Sequence, residues 1–164
     1  MEDKYIINVL NFTQSYEVSH EEKFEVGEPK DVKKLLNDLY SLGKLTREHF
    51  VMIGLDTQNF VTCVYTVHIG SLSASMVAIR ESFFTAVQNN CASVIFAHNH
   101  PSQSVPVKPS REDIRVSNRL MVCGVLIGID VLDSIIVSEN NYYSMAENDD
   151  IQINQELIER IQTM

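Results

Sequence analysis

Residues 95–113 read IFAHNHPSQSVPVKPSRED. An apolar run ends in two histidines that straddle an asparagine; a proline follows, then a polar loop, then a serine and an aspartate at the start of a helical pattern. On an extended segment, side chains at i and i+2 point to the same side. His98 and His100 can therefore offer both imidazoles to one ion while Asn99 faces away and braces the loop. Pro101 bars regular continuation of the strand and fixes the backbone at that point. Ser110 suits a helix N-cap, and Asp113 three residues on completes an approximate capping box. A carboxylate in a helix's first turn is also favoured by the macrodipole. Two imidazoles and one carboxylate leave a fourth corner of a zinc tetrahedron for water, which is the pattern of a catalytic rather than a structural site. The plainer alternative is a pair of hydrogen-bonded core histidines and an aspartate that merely caps a helix.

Outward from this stretch, the pattern alternates strands and helices. HFVMIGLD (49–56) and FVTCVYTVHIG (60–70) read as strands joined by the turn residues TQN, and CASVIFAH (91–98) as a buried central strand. GEPKDVKKLLNDLYSLG (27–43) reads as a helix with Val32, Leu35, Leu36 and Leu39 at helical spacing and Gly43 as its stop. MVAIRESFFTAVQNN (76–90) reads as a second helix with Val77, Phe84 and Val87 on one face, and SREDIRVSNRLMVCG (110–124) as a third that closes at Gly124. VLIGIDVLD and SIIVSEN are strand-like, and NYYSM follows them. A β-rich extension is expected over 1–28, from KYIINVLNF and YEVSHEEKFEV, and an acidic tail with a short helix over 148–164. Alternating elements around a central sheet indicate an α/β or α+β domain.

The chain of 164 residues has room for one domain with a real core, and 45% hydrophobic with 21% charged residues is an ordinary globular composition. No apolar run approaches the ~20 residues of a membrane helix, and the first residues lack a signal-peptide pattern, so a cytoplasmic location is expected. A net charge of −9 opposes non-specific attraction to nucleic acid. The 3 cysteines, Cys63, Cys91 and Cys123, are far apart in sequence and form no C-x-x-C, which reads as small apolar residues in a reduced interior rather than a disulfide framework or thiolate zinc site. Arg111, Arg115 and Arg119 recur every fourth residue and form a helical stripe, with Lys108 just before it. Such a row is usually a solvated face; the sharper reading is an anion-steering surface for a peptide carboxylate or a nucleic-acid backbone. His20, His49 and His68 read as surface or packing residues.

His-x-His-Pro followed by Ser-x-x-Asp resembles the signature of the JAMM metal-dependent hydrolases with a JAB/MPN domain. EHFVMIGLDTQN, IRESFFTAVQNNCASVIFAHNHPS, PSREDIRVSNRL and GIDVLDSIIVSENNYYSMAE are similar, in order, to blocks of the RadC-like branch, over residues 29–147. The resemblance implies a cytidine-deaminase-like α/β (α+β) architecture, a central mixed β-sheet flanked by helices. It implies one Zn2+ per chain on His98, His100 and Asp113. Spacing leaves Glu48, Glu81 and Glu112 open as the general base; the resemblance implies Glu48, just before an apolar strand, and Ser110 as the oxyanion donor. Departures are Gln103 where family members usually have glycine, a loop before Ser110 about two residues longer, Ser134 where a histidine is often found, and AIRE for HPRE. The helix-hairpin-helix region of full-length RadC proteins has no counterpart in these residues.

The expected activity is zinc-dependent hydrolysis of an amide or isopeptide bond, with a peptide or protein substrate. A different class of reading is a DNA-repair or mobile-DNA accessory domain acting through nucleic acid, on the arginine row, or through protein contacts. A metal-free scaffold is disfavoured by the full ligand set. A nucleobase deaminase would need H-x-E with a later P-C-x-x-C, and a cysteine hydrolase would need an electropositive niche around Cys91 or Cys123. The β-rich N-terminus offers an edge on which a second copy could pair as a homodimer.

Overall fold

Double burial of the histidine-bearing strand sets the architecture. A computed structural model of the chain describes residues 23–70, 78–101 and 106–151, together with Thr163. The described elements are α1 (Pro29–Tyr40), a single 3-10 turn (Leu42–Lys44), β1 (His49–Leu55), β2 (Val61–Ile69), α2 (Ile79–Gln88), β3 (Ser93–Asn99), α3 (Arg111–Ile127), β4 (Asp130–Val137) and β5 (Tyr142–Ser144). The strands form one mixed sheet in the order β2-β1-β3-β4-β5. β3 is buried at every position; it pairs antiparallel with β1 and parallel with β4. A parallel pair needs a crossover, and α3 supplies it. This is the α+β mixed sheet flanked by helices that the residue pattern and the resemblance imply.

Alternation along β1 and β3 divides the core. Phe50, Met52, Val94 and Phe96 face α2 and α3, whose Phe83, Val116 and Leu120 complete that layer. Val51, Ile53, Ile95 and Ala97 face the opposite side, against Val32, Leu35 and Leu36 of α1. Phe50 and Phe96 stack with centroids 5.4 Å apart, and Phe83 meets Phe96 edge-on at 5.6 Å. In the middle of β4, the buried Asp133 carboxylate accepts from Ser144 Oγ at 2.6 Å and from the Ser134 and Ala146 backbone N–H groups, which ties β5 to β4. Burial pushes the Asp133 carboxyl up, against these donors.

Three helix readings need correction. α1 ends at Tyr40, with Ser41 in the left-handed region at φ 51°; Gly43 lies beyond it in the 3-10 turn, against the backbone of Ser138 and Glu139. α3 does not stop at Gly124. It continues through Ile127 and ends at Gly128, φ 74°, so residues 125–127 are helical and β4 is one continuous strand. Gly124 is required by proximity instead: a Cβ there would sit 2.5 Å from the Ile129 carbonyl oxygen. On α2, Phe83 and Ala86 are the buried pair, while Phe84 and Val87 are 40% and 57% exposed. Val77 lies outside the described residues, as do 1–22 of the N-terminal extension, His20 included, and 152–162 and 164 of the tail. Glu25, at the described end of that extension, bridges antiparallel to Phe60. No helix among the described residues is long and apolar enough to cross a membrane.

Gly124→Ala gains about 1 kcal/mol of helix propensity but drives a methyl into a backbone oxygen that cannot rotate away, an overpacking that costs about 1–3 kcal/mol. Urea unfolding is expected to show net destabilisation, and an unchanged or raised midpoint would contradict the close approach.

Candidate metal centre

The site is assembled from three backbone segments. His98 lies near the end of β3, opposite Phe50 of β1 in register, with its ring tilted against Phe50 at 6.3 Å. His100 follows just beyond the strand, as the i, i+2 relation requires. Asn99, between them, turns its amide to the 45–49 segment. Its Nδ2 donates to the carbonyls of Leu45 at 3.1 Å and Arg47 at 3.0 Å, and its Oδ1 accepts the His49 backbone N–H at 2.8 Å. Glu48 is held from the other side too, because its carbonyl accepts the Gly70 N–H at 2.8 Å. The sequence signals Asn99 as a brace; nothing local signals the Gly70 contact, which depends on the pairing of β1 with β2.

The third segment is the first turn of α3. Ser110 caps the helix: its Oγ accepts the Asp113 N–H at 3.1 Å, and its own N–H donates to Asp113 Oδ2 at 2.7 Å, a closed capping box. This reciprocal pair fixes the Asp113 carboxylate, whose side chain is 5% exposed, towards the imidazoles.

The three groups converge. His98 Nε2 and His100 Nε2 are 3.0 Å apart; His98 Nε2 is 3.5 Å from Asp113 Oδ1, and His100 Nε2 is 3.4 Å from Asp113 Oδ2. Ligands about 2.0–2.1 Å from a tetrahedral ion are separated by edges of about 3.3–3.4 Å. Charge-assisted hydrogen bonds are shorter, about 2.7–2.9 Å, so both imidazole–carboxylate contacts suit ligands around a shared point better than direct bonds. A Glu48 carboxylate oxygen belongs to the same cluster, all four ligand atoms lying within 4.8 Å of one another. This His, His, Asp and Glu group, with His98 and Asp113 buried and Glu48 and His100 half-buried, could hold a metal ion. The Nδ1 of His98 is buried without a hydrogen-bond partner among the described residues; packing on Phe50 orients that ring.

Electrostatics are consistent with a carboxylate that stays charged. Burial opposes ionisation of Asp113, but the His100 and His98 imidazoles and the Ser110 N–H outweigh it and hold the carboxyl far below its usual range. The His100 imidazole is raised by its contact with Asp113, against burial, with further help from the Asp113 and Glu48 charges.

Of the three carboxylates that spacing left open, only Glu48 joins this cluster; Glu81 lies in the first turn of α2, and Glu112 pairs with Arg115 at 3.3 Å. Ser110 is adjacent through the capping box. Arg111, Arg115 and Arg119 are exposed along α3.

Comparison with known proteins now bears on this geometry. A family model for the RadC-like JAB domain matches residues 26–153. The chain belongs to the RadC-like JAB domain family. It is 44% identical over 128 residues to a UPF0758 protein of Clostridium tetani (strain Massachusetts / E88), covering 78% of this chain and 54% of the relative. A UPF0758 protein of Clostridium botulinum (strain Hall) is 43% identical over 125 residues, 76% of this chain and 53% of the relative. One from Clostridium perfringens (strain ATCC 13124) is 37% identical over 144 residues, 88% of this chain and 62% of the relative. The chain thus spans little more than half the length of these curated relatives.

Two measurements probe the RadC-like JAB domain at this cluster. Asn99→Ala strips this partner from the Leu45 carbonyl and the His49 N–H, while the Arg47 carbonyl keeps its 3.0 Å contact with His49 Nδ1. It is expected to lower the unfolding free energy by about 1–3 kcal/mol, at about 1 kcal/mol or more for each group stripped, and urea unfolding checks it. In chelator-treated protein, the raised His100 imidazole contributes stability in full below its ordinary value of 6.5 and loses it as pH rises through the folded value. The depressed Asp113 carboxyl contributes above its ordinary 3.8 and loses it only in stronger acid. Denaturation midpoints should therefore fall as pH rises above about 6.5, the ordinary imidazole value, and Asp113→Asn should flatten that fall.

Proposed function

We propose that this RadC-like JAB domain is a zinc-dependent hydrolase of amide or isopeptide bonds, with one zinc per chain held by His98, His100 and Asp113. The observation that carries the reading is the set of 3.0, 3.4 and 3.5 Å separations among the three ligand atoms, with a second carboxylate beside them. Two imidazole nitrogens and one carboxylate oxygen form the N/O donor set of a catalytic zinc with an open corner. When bound there, zinc supplies Lewis acidity and brings the pKa of water towards about 7.

The chain's own groups supply the remaining steps. Glu48 accepts the proton that the attacking water gives up and returns it to the leaving amine nitrogen. The Ser110 hydroxyl spends a lone pair on the Asp113 N–H, which leaves its proton for the oxyanion of the tetrahedral intermediate. His100, with 23% of its side chain exposed against 2% for His98, marks the solvent side from which a peptide or protein substrate approaches.

A second reading, contact with nucleic acid, draws on the exposed row of Arg111, Arg115 and Arg119. The net charge of −9 works against it.

Elemental analysis of the purified chain is expected to give near-stoichiometric zinc, lost in His98→Ala and in Asp113→Ala. Against a panel of peptide- and isopeptide-bonded substrates, Glu48→Gln should keep zinc yet lose about 10²–10⁴ in rate, and Ser110→Ala about 10²–10³. Hydrolysis by Glu48→Gln at the wild-type rate would end the assignment of the base.

A further inference from the structure

Cysteines that are remote in sequence become neighbours at the edge of the sheet. Cys63 lies on β2, the edge strand, opposite Gly54 of β1. Cys91 lies in the turn between α2 and β3, where its N–H donates to the Ala86 carbonyl at 3.0 Å. Their sulfurs are 3.7 Å apart. Thr62 Oγ1 is 3.1 Å from Cys91 Sγ and 3.9 Å from Cys63 Sγ. The room they share exists because residue 54 is glycine. A Cβ there would overlap Cys91 Sγ and lie 2.6 Å from Cys63 Sγ. Gly54 is absent from the positive-φ residues, so space rather than backbone conformation is what glycine provides.

We infer that Cys63 and Cys91 form a redox modification site, an intramolecular disulfide that closes when the chain meets a peroxide. The nucleophile is Cys91. With one proton lost from the pair, contact with the Cys63 thiol, 3.7 Å away, and with the Thr62 hydroxyl, 3.1 Å away, favours the thiolate on Cys91 against burial and lowers its pKa, while Cys63 is pushed up. Thiolate character rather than thiol content decides reactivity.

The chemistry balances in two steps. The Cys91 thiolate attacks one peroxide oxygen; an S–O bond forms, the O–O bond breaks, and the released hydroxide takes a proton to become water. Cys63 sulfur then attacks the Cys91 sulfenic sulfur; the S–S bond forms, the S–O bond breaks, and the hydroxyl leaves as water with the Cys63 proton. Two thiols are oxidised by two electrons in all, and one peroxide is reduced to two waters.

Closure needs the sulfurs to approach from 3.7 Å to about 2.05 Å. β2 is the outermost strand of the described sheet, its start tied to the 24–26 segment by the Val61 N–H donating to the Phe24 carbonyl, and a register irregularity at Gly54/Leu55 lies beside the pair. The closed bond would clip the edge strand to the α2–β3 turn. Cys91 lies before the start of β3 and His98 near its end. At about 3.3 Å per residue of extended chain they are about 23 Å apart, so this inference stands independently of the hydrolase reading.

The test uses the full chain, reduced, desalted and exposed to hydrogen peroxide, then alkylated and mapped by mass spectrometry. The expected result is loss of two hydrogen masses, a Cys63–Cys91 linked peptide that dithiothreitol reverses, and alkylation of Cys123 alone among the 3 cysteines. Cys63→Ser should accumulate a Cys91 sulfenic acid trapped by dimedone, whereas Cys91→Ser should leave Cys63 reduced. Wild type in which all thiols alkylate at equal rates after peroxide would overturn the inference, as would a link through Cys123 or to a second chain. So would Cys91 stopping at a sulfenic or sulfonic acid without a link. Zinc content is measured in the same samples, which separates failure here from failure of the metal site.

Discussion

The side-chain amide of Asn99 joins the two halves of the candidate centre. Its donor and acceptor ends are both committed to the backbone of 45–49. That segment carries Glu48, and the residues flanking Asn99 carry the imidazoles. Strand alternation makes the division of labour possible: one tripeptide sends two rings to the α2–α3 side of β3 and an amide to the other. Leaving the Leu45 carbonyl and the His49 N–H without this partner would cost about 1 kcal/mol or more for each. The distance between Glu48 and the two imidazoles is therefore set by hydrogen bonding through the sheet's end.

Asp113 performs a comparable double duty. The same carboxylate closes the capping box of α3 and faces both imidazoles. Helix initiation and placement of this carboxylate beside the imidazoles are consequently one event, and the positive end of the α3 dipole supports the charge in both positions. Binding of a cation here would thus couple directly to folding of the β3–α3 connection.

The site was largely legible in the sequence because its geometry is local. The i, i+2 histidines and the Ser-x-x-Asp spacing each fall within a few residues, and the chain takes the conformations that those spacings require. Glu48 was not legible in that way. Spacing left three glutamates, and only the resemblance to the RadC-like family favoured the one that sheet pairing brings to the cluster. Gly43 and Gly124 misled for a related reason. Each is glycine because another part of the backbone comes too close for a Cβ, and that neighbour is invisible locally. On α2, the choice between the 83/86 and 84/87 faces was made by the position of Phe96 beneath it. The convergence of Cys63 with Cys91 depends on strand order, which no cysteine spacing encodes.

β3 is paired on both flanks and covered on both faces. Its amides should therefore exchange with solvent only through global opening, making it the slowest-exchanging unit of the molecule. His98 sits on that platform, whereas Asp113 stands in a helical first turn that can open by itself. Fluctuations that dismantle the cluster would accordingly begin on the aspartate side and leave the deeper imidazole in place to template reassembly.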